Sequence, residues 1–215
     1  MLHHNCLLYY ITDIYYLKVR IIRICYDFLL FSGHMLQSEE YFDMLDSWNL
    51  DDLVDHITNT HHAYLKANYP LILKLIDKLD FTTQSDVIRE IKVLFTQFTD
   101  DLAIHLVKEE EVLFPYFKKL AESKSAGSKI EPATFGTLSR PIEMMEEDHD
   151  DSHDIMDRIK ELTNNFTAPQ DAEPSIHFLY FKLKEFDADL ETHHELENKL
   201  LFTKASILEK ELEIN

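Results

Sequence analysis

Two histidine and glutamate pairs carry the strongest chemical signal in the chain. In DLAIHLVKEEEVLFPYFKKL, residues 101 to 120, His105 precedes Glu109 by four positions, and in HHELE His193 stands in the same relation to Glu197. Four residues make about one turn of an α-helix, so each pair offers an imidazole nitrogen and a carboxylate oxygen on one face. Both pairs sit in apolar, helix-like runs, on the side a helix would bury. Burying a carboxylate without compensation costs on the order of several kcal/mol, so something cationic should lie beside them. Two further histidines, His62 and His149, fall on apolar stripes of their own. The steps from 62 to 105, 105 to 149 and 149 to 193 are 43, 44 and 44 residues, which brings four helices of an up-and-down bundle to one depth. Imidazole plus carboxylate without thiolate suits iron, manganese, copper or zinc, and carboxylates on facing helices suit a pair of metals. Six protein ligands would serve two ions if each glutamate bridges, leaving positions open for oxygen-derived ligands.

The elements that must position these residues are legible as four long blocks of apolar residues at spacings of three and four. The first follows SWNLDDL, where Ser47 or Asn49 can cap and Asp51 and Asp52 suit a helix start; its stripe is Val54, Thr58, His62, Leu65, Tyr69, Ile72, Ile76 and Leu79. The second opens near Ser85 or Asp86, shows Ile91, Leu94, Phe98, Leu102, His105, Glu109, Val112 and Tyr116, and should stop near Ser123. After the loop ESKSAGSKIEPATFGTLSR, Pro141 suits the first turn of a third helix, with Ile142, Met145, His149, His153, Met156, Ile159 and Phe166 inward. TAPQDAEP leads to the fourth stripe: Phe178, Phe181, Leu190, His193, Glu197, Leu200, Lys204 and Ile207. Four helices of about 25 to 35 residues, each with one apolar face, predict an all-α, antiparallel up-and-down four-helix bundle.

Composition agrees. Only three glycines and six prolines interrupt the 215 residues, which favours long helices. A net charge of −19 excludes nucleic acid as a partner by repulsion. Cys6 and Cys25 are the only cysteines, too few for a disulfide framework or a thiolate metal site, and a reducing compartment is expected. Residues 1–40 read as an atypical extension and 41–215 as the helical domain. Charges at 13, 18, 20, 23 and 27 break the extension's apolar runs, so no membrane span is expected there. It reads as an organelle-targeting segment, an amphipathic docking segment, or a stretch upstream of a start at Met35, the last being favoured. A start at Met35 implies cytoplasm, and a targeting segment implies a mitochondrion-related organelle.

DLAIHLVKEEEVLFPYF, PIEMMEEDHDDSHDIMDRIKELTNNFTAP and LETHHELENKLLFTKA resemble the signature blocks of hemerythrin-like HHE cation-binding proteins, and specifically of the di-iron proteins that repair iron–sulfur clusters. The resemblance runs from about Leu50 to Glu211. It implies a metal set of His62, His105, Glu109, His149, His193 and Glu197, holding two non-haem irons, with Glu109 and Glu197 bridging them beside an oxo or hydroxo group. His61 competes with His62 for its place, though stripe phase and the following AYL favour His62. His56 matches a recurrent family position and supports its helix. His194 lacks the four-residue spacing to Glu197 and is expected to be solvated or a supporting neighbour. Glu110 and Glu111 fall on other faces and are expected in solvent.

The chain also departs from that pattern. Residues 1–40 do not resemble the small domain with paired cysteines that many repair proteins carry. His153, four after His149, gives the HxxxH of oxygen-carrying hemerythrins, either a fifth histidine ligand or a hydrogen-bonding support. Thr203 stands where proline is common. The resemblance implies repair of clusters damaged by oxidative or nitrosative stress through supply of iron, with damaged iron–sulfur proteins as clients and Glu146 as a carboxylate on the exit path. The electron donor stays unidentified. Nitric oxide or peroxide reduction, and oxygen binding or sensing, are the alternatives, and whether the protein is an enzyme stays open.

Overall fold

The computed structural model describes residues 39–83, 85–131 and 133–213. The expectations for the extension before Glu39, its cysteines included, lie outside these residues. Among the described residues the chain is helical, with one isolated bridge between Ala133 and Gly136. Helix α1 is the short Glu39–Asp46. Helix α2 spans 50–83 as Leu50–Ile57, a π-helical turn Thr58–His62, and Ala63–Thr83. Helix α3 spans 86–126 as Asp86–Lys108, a π turn Glu109–Leu113, and Phe114–Ala126. Helix α4 is Ser139–Leu162, and α5 spans 174–213 as Pro174–Leu196, a π turn Glu197–Leu201, and Phe202–Glu213.

Helices α2 to α5 alternate in direction, as the ion pairs between them record. Along α2 and α3, Asp55 meets Lys118, His62 meets Glu110 and Asp80 meets Lys92, the numbers rising on one helix as they fall on the other. Helices α3 and α4 pair His105 with Asp148 and Glu90 with Arg158 in the same sense. The expected bundle is therefore present. No helix among the described residues is long and apolar enough to cross a membrane.

Local chemistry explains the ends. Asn49 stands before α2 in extended backbone with Asp51 and Asp52 in the first turn, but makes no capping bond with its side chain. Helix α3 runs past Ser123 to Gly127, whose φ of 60° closes it while the Ser128 N–H reaches the Ser123 carbonyl at 3.0 Å. After α4, Asn164, Asn165 and Phe166 are all left-handed, at φ 48°, 54° and 57°. Asparagine tolerates that region and phenylalanine does not. Phe166 is held there by its buried ring and by its N–H, which donates to Thr163 Oγ1 at 3.0 Å.

The apolar interior lies in two parts with polar residues between them. One is built on Leu65, Ile72, Phe95, Phe98, Phe186 and Leu190, with the Phe186 ring edge to face on the stacked rings of Phe95 and Phe98. At the other end Phe114, Phe117, Leu201 and Phe202 are buried with Leu53 and Ile57. Several predicted stripe positions fail near the divide. Val112 is 49% exposed and Leu113 buried; Ile207 is exposed and Leu201 and Ala205 are buried. The cause is the π turn, in which the bond closes over five residues and one extra residue advances the helix face. Phe178 and Phe181 are also exposed, because Leu179, Leu183 and Phe186 supply the buried face of α5 there.

Candidate metal centre

The π turns sit where the chemically marked residues sit. The Phe114 N–H bonds to the Glu109 carbonyl and the Phe202 N–H to the Glu197 carbonyl, five residues back in each case. Such a turn disturbs the carbonyl ladder, and nearby side chains compensate. Thr58 Oγ1 and Asn59 Nδ2 donate to the Val54 and Asp55 carbonyls at 2.8 and 2.7 Å, and Thr203 Oγ1 donates to the Asn198 carbonyl at 3.3 Å. Pro115 holds the place in α3 that Thr203 holds in α5, just after the π turn. Its missing N–H suits a ladder already interrupted.

Each turn ends or begins on a residue that faces the divide between the two apolar parts. His62, Glu109, His193 and Glu197 form one group whose nitrogen and oxygen atoms all lie within 4.8 Å of one another, and His105, Glu109, His149 and Glu197 form a second. The two glutamates belong to both. Glu197 turns Oε1 toward His193 and His62, at 2.9 and 3.6 Å, and Oε2 toward His149 at 3.2 Å. Glu109 Oε2 lies between His62 at 3.4 Å and His105 at 3.3 Å.

These contacts leave the group unsatisfied. Both carboxylates are fully buried, yet no oxygen of either accepts a hydrogen bond, because the imidazole nitrogens approach from the wrong direction. His105 and His149 face each other Nε2 to Nε2 at 3.2 Å. Their Nδ1 atoms are committed elsewhere, to Asp148 Oδ2 at 3.2 Å and Asn198 Oδ1 at 3.0 Å. Neutral rings that donate from Nδ1 turn bare lone pairs on each other at Nε2. Buried orphan carboxylates among converging lone pairs fit a cation, and nitrogen and oxygen donors without sulfur fit a transition metal. In the chain itself, protons take that part. Burial opposes charge on His62 and His105, but the neighbouring carboxylates outweigh it and raise their pKa to about 9 and about 10. His193, with no carboxylate at Nδ1, is driven down to about 4 by burial. Burial also opposes ionisation of Glu197, yet the surrounding imidazoles hold it well below the usual range.

The structure places the supporting residues differently from the sequence reading. Glu110 is not a solvated surface charge: its Oε1 accepts from His62 Nδ1 at 2.7 Å, and Lys66 holds the same carboxylate from outside. Asp148 does the same for His105, with Lys108 Nζ at 2.7 Å. These contacts with His62 and His105 hold the pKa of Glu110 and of Asp148 down to about 2. Glu146 is exposed, and the acid that α4 turns to the centre is Asp148, because two further positions rotate the helix toward α3. Of the two readings of His194, solvated or supporting, its burial and its ring stacked on His149 at 3.9 Å match the second.

His153 stands outside both groups and meets His194 Nδ1 at 3.3 Å, the supporting arrangement. His61 is as buried as His62 but turns to Asp189 Oδ1 at 3.1 Å, which separates the two adjacent histidines. His56 meets Thr60 Oγ1 at 3.4 Å and Trp48 edge to face, and burial lowers its pKa to about 3. Asp148 and Glu110 each adjoin a marked residue by one position and reach a histidine of the neighbouring helix.

A cleft of about 170 Å³ between α3 and α4 reaches His105, with Asp101, Asp148, Asp151 and Ser152 among its walls.

The Hemerythrin HHE cation binding domain family matches residues 52–205. Three curated relatives are similar over 158 residues, 73% of this chain. They are the "Iron-sulfur cluster repair protein YtfE" of Musicola paradisiaca (strain Ech703), 32% identical over 65% of that protein; of Enterobacter sp. (strain 638), 30% over 66%; and of Escherichia coli O157:H7, 29% over 66%. The match thus spans 65 to 66% of the length of these relatives. With the bundle and its buried histidine and glutamate centre, the match over residues 52–205 means that the chain belongs to the hemerythrin HHE cation-binding domain family.

Proposed function

We propose that this chain is a non-haem di-iron protein that repairs or maintains iron–sulfur clusters damaged by oxidative or nitrosative stress, by supplying iron. The observation that carries the reading is the pair of four-residue groups sharing Glu109 and Glu197. A shared carboxylate is the usual means of holding two ions side by side between helices. The relatives named for iron–sulfur cluster repair support the same reading. Iron, when bound there, would supply a redox-variable, releasable cation.

The chain's own residues suit that task. His62, His105, His149 and His193 present Nε2, and Glu110, Asp148 and Asn198 keep the protons of the first three at Nδ1. Partners of this kind fix the ring and raise its basicity as a ligand. The acidic cleft at His105 gives a cation a polar route with oxygen donors along it. Oxygen binding rests chiefly on His153 as a ligand, and its engagement with His194 leaves that reading without support.

The test is metal analysis of the full chain purified from iron-supplied cells, followed by incubation with a protein whose four-iron cluster has lost one iron. Two irons per folded chain and recovery of the client's activity are expected. Folded protein without transition metal overturns the reading. Repeated turnover of nitric oxide by the reduced protein, without client recovery, replaces it with the reductase alternative.

A further inference from the structure

We propose that the two cation positions exchange with solvent at different rates, the one at His105 and His149 emptying first through the α3–α4 cleft while the one at His62 and His193 is retained; this rests on the two-iron reading above. The two groups share their glutamates, but their surroundings differ. His105 forms part of the cleft wall, beside Asp101, Asp148 and Asp151. A departing cation there meets carboxylate oxygens as each protein ligand lets go, so no step leaves it without donors. Lys108 Nζ holds Asp148 Oδ2 at 2.7 Å at the cleft wall, its side chain 37% exposed.

The other group is more enclosed. His62 and His193 are fully buried, and neither lines the cleft. The Phe114 ring stacks on His62 at 5.4 Å, and the His61 ring lies parallel to His193 at 5.9 Å. Rings thus cover this side, where a cleft reaches the other.

One feature pulls the other way. His193 Nδ1 is buried without a hydrogen-bond partner, whereas His62, His105 and His149 each have one. A missing partner weakens metal affinity by about 10- to 100-fold. Parting a wholly buried helix pair, by contrast, belongs to the rarest openings a folded domain makes, close to global unfolding. Access therefore outweighs affinity in setting the order of release.

The experiment mixes the full chain, loaded with two equivalents of ferrous iron, with an excess of a coloured ferrous chelator in stopped flow. Two phases of one equivalent each are expected, at least 10-fold apart in rate. Asn198→Ala, which frees the His149 ring, should hasten the fast phase alone, and Glu110→Ala, which frees His62, the slow phase alone. Ser152→Phe, which narrows the cleft, should slow the fast phase at least 3-fold; if it misfolds by circular dichroism, the other two variants still decide. Release of both irons in a single phase overturns the inference and leaves the two-iron reading standing, as does an exchange of the two variants' effects. A folded chain that holds no iron overturns both.

Discussion

Glu110 Oε1 lies 2.7 Å from His62 Nδ1, one residue along the chain from a glutamate that faces the opposite edge of the same ring. Adjacent acids thus grip one imidazole from two sides, Glu109 at Nε2 and Glu110 at Nδ1. Glu110→Ala is expected to lower iron affinity by about 10- to 100-fold without touching a ligand atom. Glu110→Gln, which can still accept from Nδ1, should lose less. Competition against a chelator of known affinity measures both.

Glu109→Ala and Glu197→Ala should each abolish iron binding, since each removes oxygens common to both groups of four. Glu111→Ala, on an exposed position of the same π turn, should bind iron normally. Metal content after gel filtration separates these outcomes, and iron loss in the Glu111 variant would count against the assignment.

Stability without metal should fall as pH rises above neutrality. His62 and His105 have folded pKa values raised from 6.5 to about 9 and about 10. A raised histidine contributes stability that is fully present below 6.5 and is lost as pH climbs through the raised value. His193, lowered to about 4, acts in the reverse sense, its contribution fading as pH falls from 6.5 through that value. Urea unfolding of the metal-free chain should therefore show greatest stability near pH 6.5, declining toward pH 10 by roughly a few kcal/mol. Iron must displace the protons on His62 and His105, so its affinity should increase over the same range.

Glu209 joins three parts of the molecule and is predicted to matter for stability alone. Its buried carboxylate accepts from Tyr116 OH at 3.0 Å and from the Leu138 N–H at 3.0 Å, tying the loop before α4 to α3 and α5. Glu209→Ala removes the carboxylate that accepts from the buried Leu138 N–H and from Tyr116 OH, and should cost about 1 to 3 kcal/mol. Chemical denaturation measures it, and iron content should be unchanged.

The π turn makes a prediction where a regular helix makes the opposite one. Leu113→Ala should cost about 2 to 5 kcal/mol, as a buried leucine does, and Val112→Ala, at the position the regular period would bury, about 0.5 kcal/mol or less. Denaturant midpoints decide between the two phases.

Much of the centre was legible because ligand chemistry imposes spacing. A histidine and a glutamate four apart must share a helix face, and near-equal steps of 43 and 44 residues must meet in an up-and-down bundle. Helical period also gave the inward residues of α4 without error in the half before His149, where Ile142 and Met145 are buried. What the period misjudged were positions such as Val112 and Ile207 in or beyond the later two π turns, since nothing in EEEVL or ENKLL marks an extra residue per turn, whereas Leu65, Ile72, Ile76 and Leu79 beyond the first turn are buried as expected. Glu110 escaped for the same reason. On a regular helical wheel it points to solvent, and only the packing of α2 against α3 brings Lys66 and His62 to it. Phe178 and Phe181 misled in another way. FLYFKL offers apolar residues on every face, so hydrophobicity alone cannot choose among them.

Three helices change their winding at the level of the histidines and glutamates, and α4 does not. Each of these turns takes up one extra residue locally, so the buried face beyond it is carried by residues one position further along the chain, as Leu113 replaces Val112. Deleting a single residue from 110–113 would let the segment close as an unbroken α-helix with Phe114 and Phe117 still facing inward, so the loss would fall on the wide turn that begins at Glu109. A change of length at these turns should therefore disturb Glu109 and Glu197, on which two of them begin, before it disturbs either apolar part.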